Sequence, residues 1–245
     1  MLVAAISDIH ANLPAFEAVL ADIDSAGVEE IWFLGDVVGY GAQPSECLRL
    51  MDERCSISLL GNHDLAALGE IDISTFSPGA ARSALWTREN LPGEDLALLR
   101  EIGQASGSRE GFGLYHASPR DPVWEYVVDS EQAAENLDFQ PERTALIGHS
   151  HIALYFNRTA ESSGTSSVLG SDGSSIDLSE GEWLVNPGSV GQPRDGDPRA
   201  AWLELDTTEL KATFHRVDYP IDVAADSIRE AGLPDHLADR LYQGH

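Results

Sequence analysis

Lysine is almost missing from this 245-residue chain: Lys211 is the only one, and 41 acidic residues against 15 basic ones leave a formal charge of −26. No basic run exists, so extended nucleic-acid binding, which depends on displacing counterions from a polyanion, is not expected. Two explanations of the acidity stand at this level. One is a salty cytoplasm, where about 1 M salt shortens the Debye length to roughly 3 Å and screens self-repulsion; the other is codon usage favouring arginine. Cysteine is nearly absent too. Cys47 and Cys55 lie in apolar surroundings without CxxC spacing, which reads as two free buried thiols and not as a disulfide or zinc site. No apolar run approaches the roughly 18 residues of a membrane span, and the N-terminus lacks a basic start followed by an apolar signal core, so a cytoplasmic protein with no membrane partner is expected. There is no Walker GxxxxGK, no GxGxxG after the first strand and no GxSxG nucleophile elbow, which sets aside the commonest nucleotide-binding and serine-hydrolase chemistries.

What the chain does have is a set of short apolar runs that end abruptly in metal- and proton-handling side chains. Ala4-Ala5-Ile6-Ser7 closes on Asp8-Ile9-His10, Ile31-Trp32-Phe33-Leu34-Gly35 on Asp36, and Leu59-Leu60-Gly61 on Asn62-His63-Asp64. Ligand sites in open α/β sheets form outside the carboxyl ends of parallel strands, so three strands ending this way bring their polar tips to one crevice. Two more runs repeat the design: Phe112 to Tyr115 ends on His116, and Thr144 to Gly148 ends on His149-Ser150-His151. In an extended segment residues i and i+2 share a face, so His149 and His151 can point into the same site.

Along the first 60 or so residues strands alternate with amphipathic helices, the pattern of βαβ units and a parallel sheet. A helix is expected from Pro14 to Gly27 and another from Pro44 toward Glu53. Further helix is expected through Leu68 and again from Ser77 to about Arg100, with residues 103–113 as a turn-rich connection. The Ser-, Gly- and Asp-rich segment 161–181 reads as a flexible hairpin or loop. Ala201 to Leu205 pairs plausibly with Ala212 to Val217 across a Thr-Thr turn, implying a second sheet, and the tail from Asp222 carries two short docking helices. Length and apolar content suit one domain spanning 1–245.

Asp8, His10, Asp36, Asn62, His116, His149 and His151 supply carboxylate, amide oxygen and imidazole with no thiolate, a donor set suited to Mn, Fe, Zn or Ni. Seven groups are too many for one open catalytic ion, whereas two ions roughly 3.5–4 Å apart that share a carboxylate use them all. Each residue alone has a plainer explanation, a helix cap for an Asp or a core position for a His; five strand ends finishing this way argue for the set.

In this ordered series, Asp8-Ile9-His10, Gly35-Asp36-Val37-Val38-Gly39, Gly61-Asn62-His63-Asp64, Tyr115-His116-Ala117-Ser118 and Gly148-His149-Ser150-His151, the chain resembles the calcineurin-like metallophosphoesterase family, in particular its small prokaryotic phosphodiesterase-like members. The resemblance implies an α/β (α+β) fold, a sandwich of two mixed β-sheets flanked by helices, and two divalent ions, Mn foremost. By position, Asp8, His10 and His151 would hold the first ion, Asn62, His116 and His149 the second, and Asp36 would bridge them. His63 would be the general acid and Asp64 would hold its imidazole. The implied reaction is hydrolysis of a small phosphate ester, phosphodiesters foremost, with a hydroxide between the ions attacking phosphorus in line. Phosphomonoesters and dinucleoside polyphosphates are the rival substrates, and a metal-binding scaffold is the non-enzyme alternative. Asn12, Arg120 and Arg194 are candidate substrate contacts, with Ser118, Asn186 and Ser189 nearby in sequence; Pro119-Arg120-Asp121-Pro122 and Pro193-Arg194-Asp195-Gly196 each place an arginine in a turn that could clamp a phosphate.

Overall fold

A computed structural model of the protein describes residues 1–161 and 164–245. Two six-stranded sheets face each other. The first is built around β1 (Leu2–Ile6), with β2 (Glu30–Phe33) and β3 (Ile57–Ser58) parallel on one side. On the other side β11 (Ala200–Asp206), β12 (Lys211–Val217) and β9 (Ser175–Asp177) run antiparallel in turn. The second sheet has the order β4 (Ser106–Arg109), β5 (Phe112–Tyr115), β6 (Thr144–Leu146), β10 (Glu182–Pro187), β7 (Ala153–Arg158) and β8 (Ser166–Leu169), with β5, β6 and β10 mutually parallel.

Alternation along β1 shows how the layers form. Val3 and Ala5 point between the sheets, where they join Trp32, Leu114, Val185 and Phe214. Ala4 and Ile6 point the other way, into a core with Phe16, Leu48 and Trp202. Both faces of the strand are covered, which is why its sequence is apolar throughout instead of alternating. The outer layer on the first sheet contains α1 (Leu13–Ala26), α2 (Pro44–Arg54), α3 (Asn62–Leu68), α4 (Pro78–Asn90), α5 (Gly93–Ile102) and, at the C-terminal end, α7 (Ile221–Glu230) and α8 (Asp235–Asp239). On the second sheet α6 (Ser130–Phe139) packs Ala133 and Leu137 against Ala145, Phe156 and Leu184. The expected two-sheet sandwich with flanking helices is therefore present.

Four local expectations change. The helix expected from Ser77 to Arg100 is two helices, because Leu91 and Pro92 are extended (ψ 125° and 152°), and proline cannot donate to a continuing helix. The connection 103–113 holds β4, hydrogen-bonded antiparallel to β5. The pair β11 and β12 does form, but it extends the first sheet from the free edge of β1 instead of founding the second. Segment 161–181 does not fold on itself as a hairpin: β8 joins the second sheet beside β7 and β9 joins the first beside β12, so the segment crosses between layers. Residues 162 and 163 of that segment lie outside the described residues. Cys47 is buried as expected, and Cys55 is only partly covered; both are free thiols.

Candidate metal centre

The loops that leave β1, β2, β3, β5 and β6 at their carboxyl ends meet at one place, as the strand-end reading requires. They are laced together by backbone hydrogen bonds: Asp8 N–H donates to Gly35 O (3.0 Å), His10 N–H to Asp36 O (3.0 Å) and Gly148 N–H to His116 O (2.7 Å). The loop after β10 joins them through Val190 N–H to Ser7 O and Gly191 N–H to Asp8 O. The backbone also adopts an uncommon conformation here. Asp8, His10, Asp36, His149 and His151 all have φ between 49° and 65°, the left-handed region that L-residues with side chains rarely enter. Such conformations persist where the surroundings over-determine them, and they aim five donors inward. Gly61 makes room for one of them: a Cβ there would lie 2.0 Å from Asp36 Oδ1.

Two groups of buried donors result, Asp8 with His10 and His151, and Asp36 with His116 and His149. Asp36 Oδ2 stands between them, 3.6 Å from His10 Nε2 and 3.5 Å from His116 Nε2. Asn62 Oδ1 lies 3.2 Å from His116 Nε2 and so belongs with the second group.

The hydrogen bonds behind the rings decide what this cluster fits. His10 Nδ1 bonds Val38 O (3.0 Å), His116 Nδ1 bonds Leu34 O (2.9 Å) and His151 Nδ1 bonds Gln192 O (2.7 Å). A carbonyl only accepts, so each Nδ1 carries a proton, and the neutral rings of His10 and His151 present an Nε2 lone pair to the centre. His10 Nε2 and His151 Nε2 then face each other at 3.0 Å, lone pair to lone pair. Asp8 Oδ1, Asp36 Oδ2 and His149 Nε2 are buried with no hydrogen-bond partner. Converging lone pairs and orphaned carboxylate oxygens are repulsive by themselves and match what two divalent cations require.

Electrostatics point the same way. Burial, with Asp36 adding to it, pushes the Asp8 carboxyl up to about 7 against the pull of His116. Burial and then the neighbouring Asp64 hold Asp36 well above the usual carboxylate range. Burial also holds His10, His63, His149 and His151 well below the ordinary histidine value, with Arg194 contributing at each. The close approaches of His10 and His151 to the two carboxyl groups are therefore contacts with neutral imidazoles, not ion pairs.

The site corrects several expected roles. Asp64 does not hold the His63 ring; adjacent residues on a helix do not face each other. Its carboxylate instead accepts the backbone N–H groups of Asp36 (2.8 Å), Gly61 (2.9 Å) and Val38 (3.1 Å), pinning two motif loops to the start of α3. Asn12 is not free to contact substrate: its Oδ1 caps α1 at Ala15 N–H (3.2 Å) and its Nδ2 donates to Gly191 O (2.8 Å). Arg120 is paired with Glu125 and Glu135, away from the pocket. Ser118 donates to Glu125, Asn186 to Gly148 O and Ser189 to Asp8 O, so all three brace loops.

Arg194, by contrast, lines a cavity of about 440 Å³ together with Asn62, His63 and His149. The remaining wall was not legible as a motif: Tyr40, Phe76, Trp124, Tyr126 and Arg240 line the same cavity. Tyr126 stacks on His149 with ring centroids 4.0 Å apart, and Phe76 packs against His63 at 4.9 Å and Trp124 at 5.8 Å. The one signal available was the density of aromatic residues in Val123-Trp124-Glu125-Tyr126 immediately after the His116 motif.

The α/β sandwich thus carries two adjoining Asp/His donor groups at its strand ends, the arrangement expected of the metallophosphoesterase class. A family model of the calcineurin-like phosphoesterase superfamily domain matches residues 1–208, and the chain belongs to that family. It is 36% identical to an uncharacterized protein of Methanocaldococcus jannaschii over 99% of this chain and 98% of the other. The crystal structure of a metallophosphoesterase from Sphaerobacter thermophilus superposes with a TM-score of 0.90 at 39% identity, covering 100% of this chain and 99% of that one. A symmetrical bis(5'-nucleosyl)-tetraphosphatase of Actinobacillus pleuropneumoniae is 25% identical over 64% of this chain and 56% of its own length. Among the described residues, no helix is long and apolar enough to cross a membrane.

Proposed function

We propose that this chain hydrolyses small phosphate esters, phosphodiesters foremost, at a dinuclear centre in which Asp8, His10 and His151 hold one ion, Asn62, His116 and His149 the other, and Asp36 both. The observation that carries this reading is the pair of lone-pair-lined donor groups that meet at Asp36 and reach a pocket through Asn62 and His149. Two divalent ions there, Mn foremost and Fe, Zn or Ni also matched by the donors, would neutralise phosphate oxygens and lower the pKa of a water toward neutrality. That positive charge also answers how a protein of net charge −26 receives an anion. The complete donor set favours a catalyst over a scaffold.

The chain's own residues do the rest. Arg194 is placed to bind a non-bridging phosphate oxygen, and the aromatic wall gives the organic group of an ester an apolar, water-poor surface. His63 lines the pocket with its Nδ1 buried and unpartnered. Burial, Arg194 and His116 keep its ring neutral in the free protein, whereas an anionic phosphate alongside works in the opposite direction. Bound phosphate thus favours the protonated ring, which passes its proton to the leaving oxygen as the ester bond breaks.

Elemental analysis should find about two metal equivalents per chain after incubation with Mn²⁺. His63→Asn should keep both and lose about 10²–10⁴-fold in turnover on an alkyl ester, with a much smaller loss on a p-nitrophenyl ester, whose leaving group needs little help. Equal losses on both would make His63 a phosphate-positioning group, and zero metal uptake would remove the catalytic reading. A second reading, hydrolysis of dinucleoside polyphosphates, draws support from the aromatic wall and from the similarity to the Actinobacillus enzyme.

A further inference from the structure

Among the described residues nine of the fourteen arginines are held by carboxylates, as expected where 41 acidic residues surround 15 basic ones. Arg82, Arg88, Arg143, Arg194 and Arg240 are not; Arg88 and Arg143 are spent on backbone carbonyls, and of the five, Arg194 and Arg240 line the pocket. Both guanidinium groups lie against one ring, 5.5 Å and 5.9 Å from the centroid of Tyr40, and both line the pocket above the metal centre. Arg194 is steadied by Gln192 Oε1 (2.9 Å) and by the Tyr126 hydroxyl, neither of them charged, and its Nε is buried without a partner. Arg240 donates through Nε to the main-chain oxygen of His245, and among the described residues its terminal nitrogens have no acceptor. Among the described residues neither guanidinium is ion-paired with an Asp or Glu side chain, and two cations held side by side on one ring at a partly desolvated pocket wall repel each other until an anion joins them. Burial and the proximity of Arg194 accordingly hold Arg240 below the ordinary arginine value.

Arg194 is tied to the donor loops, its backbone N–H donating to His151 O (3.0 Å), and its charge acts on both donor groups. Arg240 reaches the pocket beside it, against the same Tyr40 ring. It is also delivered from a different part of the chain. The family match ends at residue 208, and Arg240 follows α7 and α8, which are anchored by Ile228, Leu233, Leu237 and Leu241 in the core beneath the first sheet. The C-terminal segment therefore adds a positive charge to the rim of a site that the matched domain builds without it.

We infer that Arg194 and Arg240 form a second anion seat, which takes a phosphoryl group adjacent to the scissile one and selects substrates whose organic groups are joined through more than one phosphate. The seat holds an anhydride-linked neighbour of the reacting phosphate, with a planar base free to lie against Trp124 and Tyr126. The inference rests on the phosphoesterase reading for the scissile position only.

The test compares metal-loaded wild type with Arg240→Gln and Arg240→Lys. The ratio of kcat/KM for diadenosine triphosphate to that for bis(p-nitrophenyl) phosphate should fall about tenfold or more in Arg240→Gln, chiefly through KM, with Arg240→Lys in between. An unchanged ratio overturns the seat while leaving the hydrolase reading intact. Calorimetry reads the seat without turnover: methylenediphosphonate should bind metal-loaded wild type at least about tenfold more tightly than inorganic phosphate, and Arg240→Gln should narrow that gap. Equal affinities in the wild type overturn the seat even if the variant fails to fold. A preserved diphosphonate preference in a protein that hydrolyses neither ester would sink the hydrolase reading and keep the seat.

Discussion

Seven donors, none more than 4% exposed, form the floor behind Asn62 and His149, the two of them that line the pocket, and they are held by loops whose backbones are hydrogen-bonded to one another. Its rim is assembled from Phe76, Trp124, Tyr126, Arg194 and Arg240; Trp124 and Tyr126 are 38% and 46% exposed. At the floor every proton-bearing Nδ1 of His10, His116 and His151 is committed to a backbone carbonyl, so the geometry of the donors is fixed before anything binds. At the rim the Nε of Arg194 is buried without a partner, and Arg194 and Arg240 both line the pocket, so the surface is shaped for an incoming group. A rigid floor suits a reaction common to a family, and an under-satisfied rim suits a choice among its substrates.

The comparison is broken most severely by Asp36→Asn, since Oδ2 faces both donor groups. Metal content should fall, and turnover should drop on every ester alike by more than the ~100-fold typical of losing a partner behind the ligands. Full occupancy with ordinary turnover would show that Asp36 does not join the two sites. Arg194→Ala should leave the metals in place and lower kcat/KM by about 10–10²-fold, as expected for removing a charge-assisted bond to the phosphate.

Proton linkage gives a smaller effect. With the Asp8 carboxyl up at about 7, the metal-free floor is protonated at pH 6, and a cation must displace that proton. The four depressed histidines are already neutral there and release none. Affinity for the first ion should therefore rise with pH, by at least about tenfold per unit below pH 7, as Asp8 and the likewise raised Asp36 give up their protons. Calorimetric titrations across that range check the sign, and an affinity that falls with pH would contradict the protonated carboxyl. The smallest effect is expected at Arg120→Ala, within about twofold in kcat/KM, because Arg120 is spent on Glu125 and Glu135. A loss as large as that of Arg194→Ala would return Arg120 to the rim.

Asp8, Asp36, Asn62 and His116 could be read from sequence because each follows its strand by a few residues, and a parallel strand's carboxyl end is a fixed place in an α/β sheet. The i, i+2 spacing of His149 and His151 did not by itself divide them between two donor groups. Their φ values of 65° and 59° show that the local backbone is not an extended strand, and the two rings are shared out between opposite sides of Asp36. Asp64 was misjudged for a related reason: adjacency suggested a partner for His63, while three backbone N–H groups from two loops claimed its oxygens.

By itself, then, the sequence determined the alternating strands and helices, the strand ends that carry the donors, and the donor chemistry, because hydrophobic period and residue type are properties of short stretches of chain. Only the tertiary structure decided that residues 200–217 extend the first sheet, that segment 161–181 crosses between sheets, and which arginine serves the pocket. Arg120 and Arg194 occupy near-identical Pro-Arg-Asp turns, and nothing within either turn distinguishes them. What separates them is the company each keeps, the nearby carboxylates of Glu125 and Glu135 for one and, for the other, the Tyr40 ring, brought to it from far along the chain by packing.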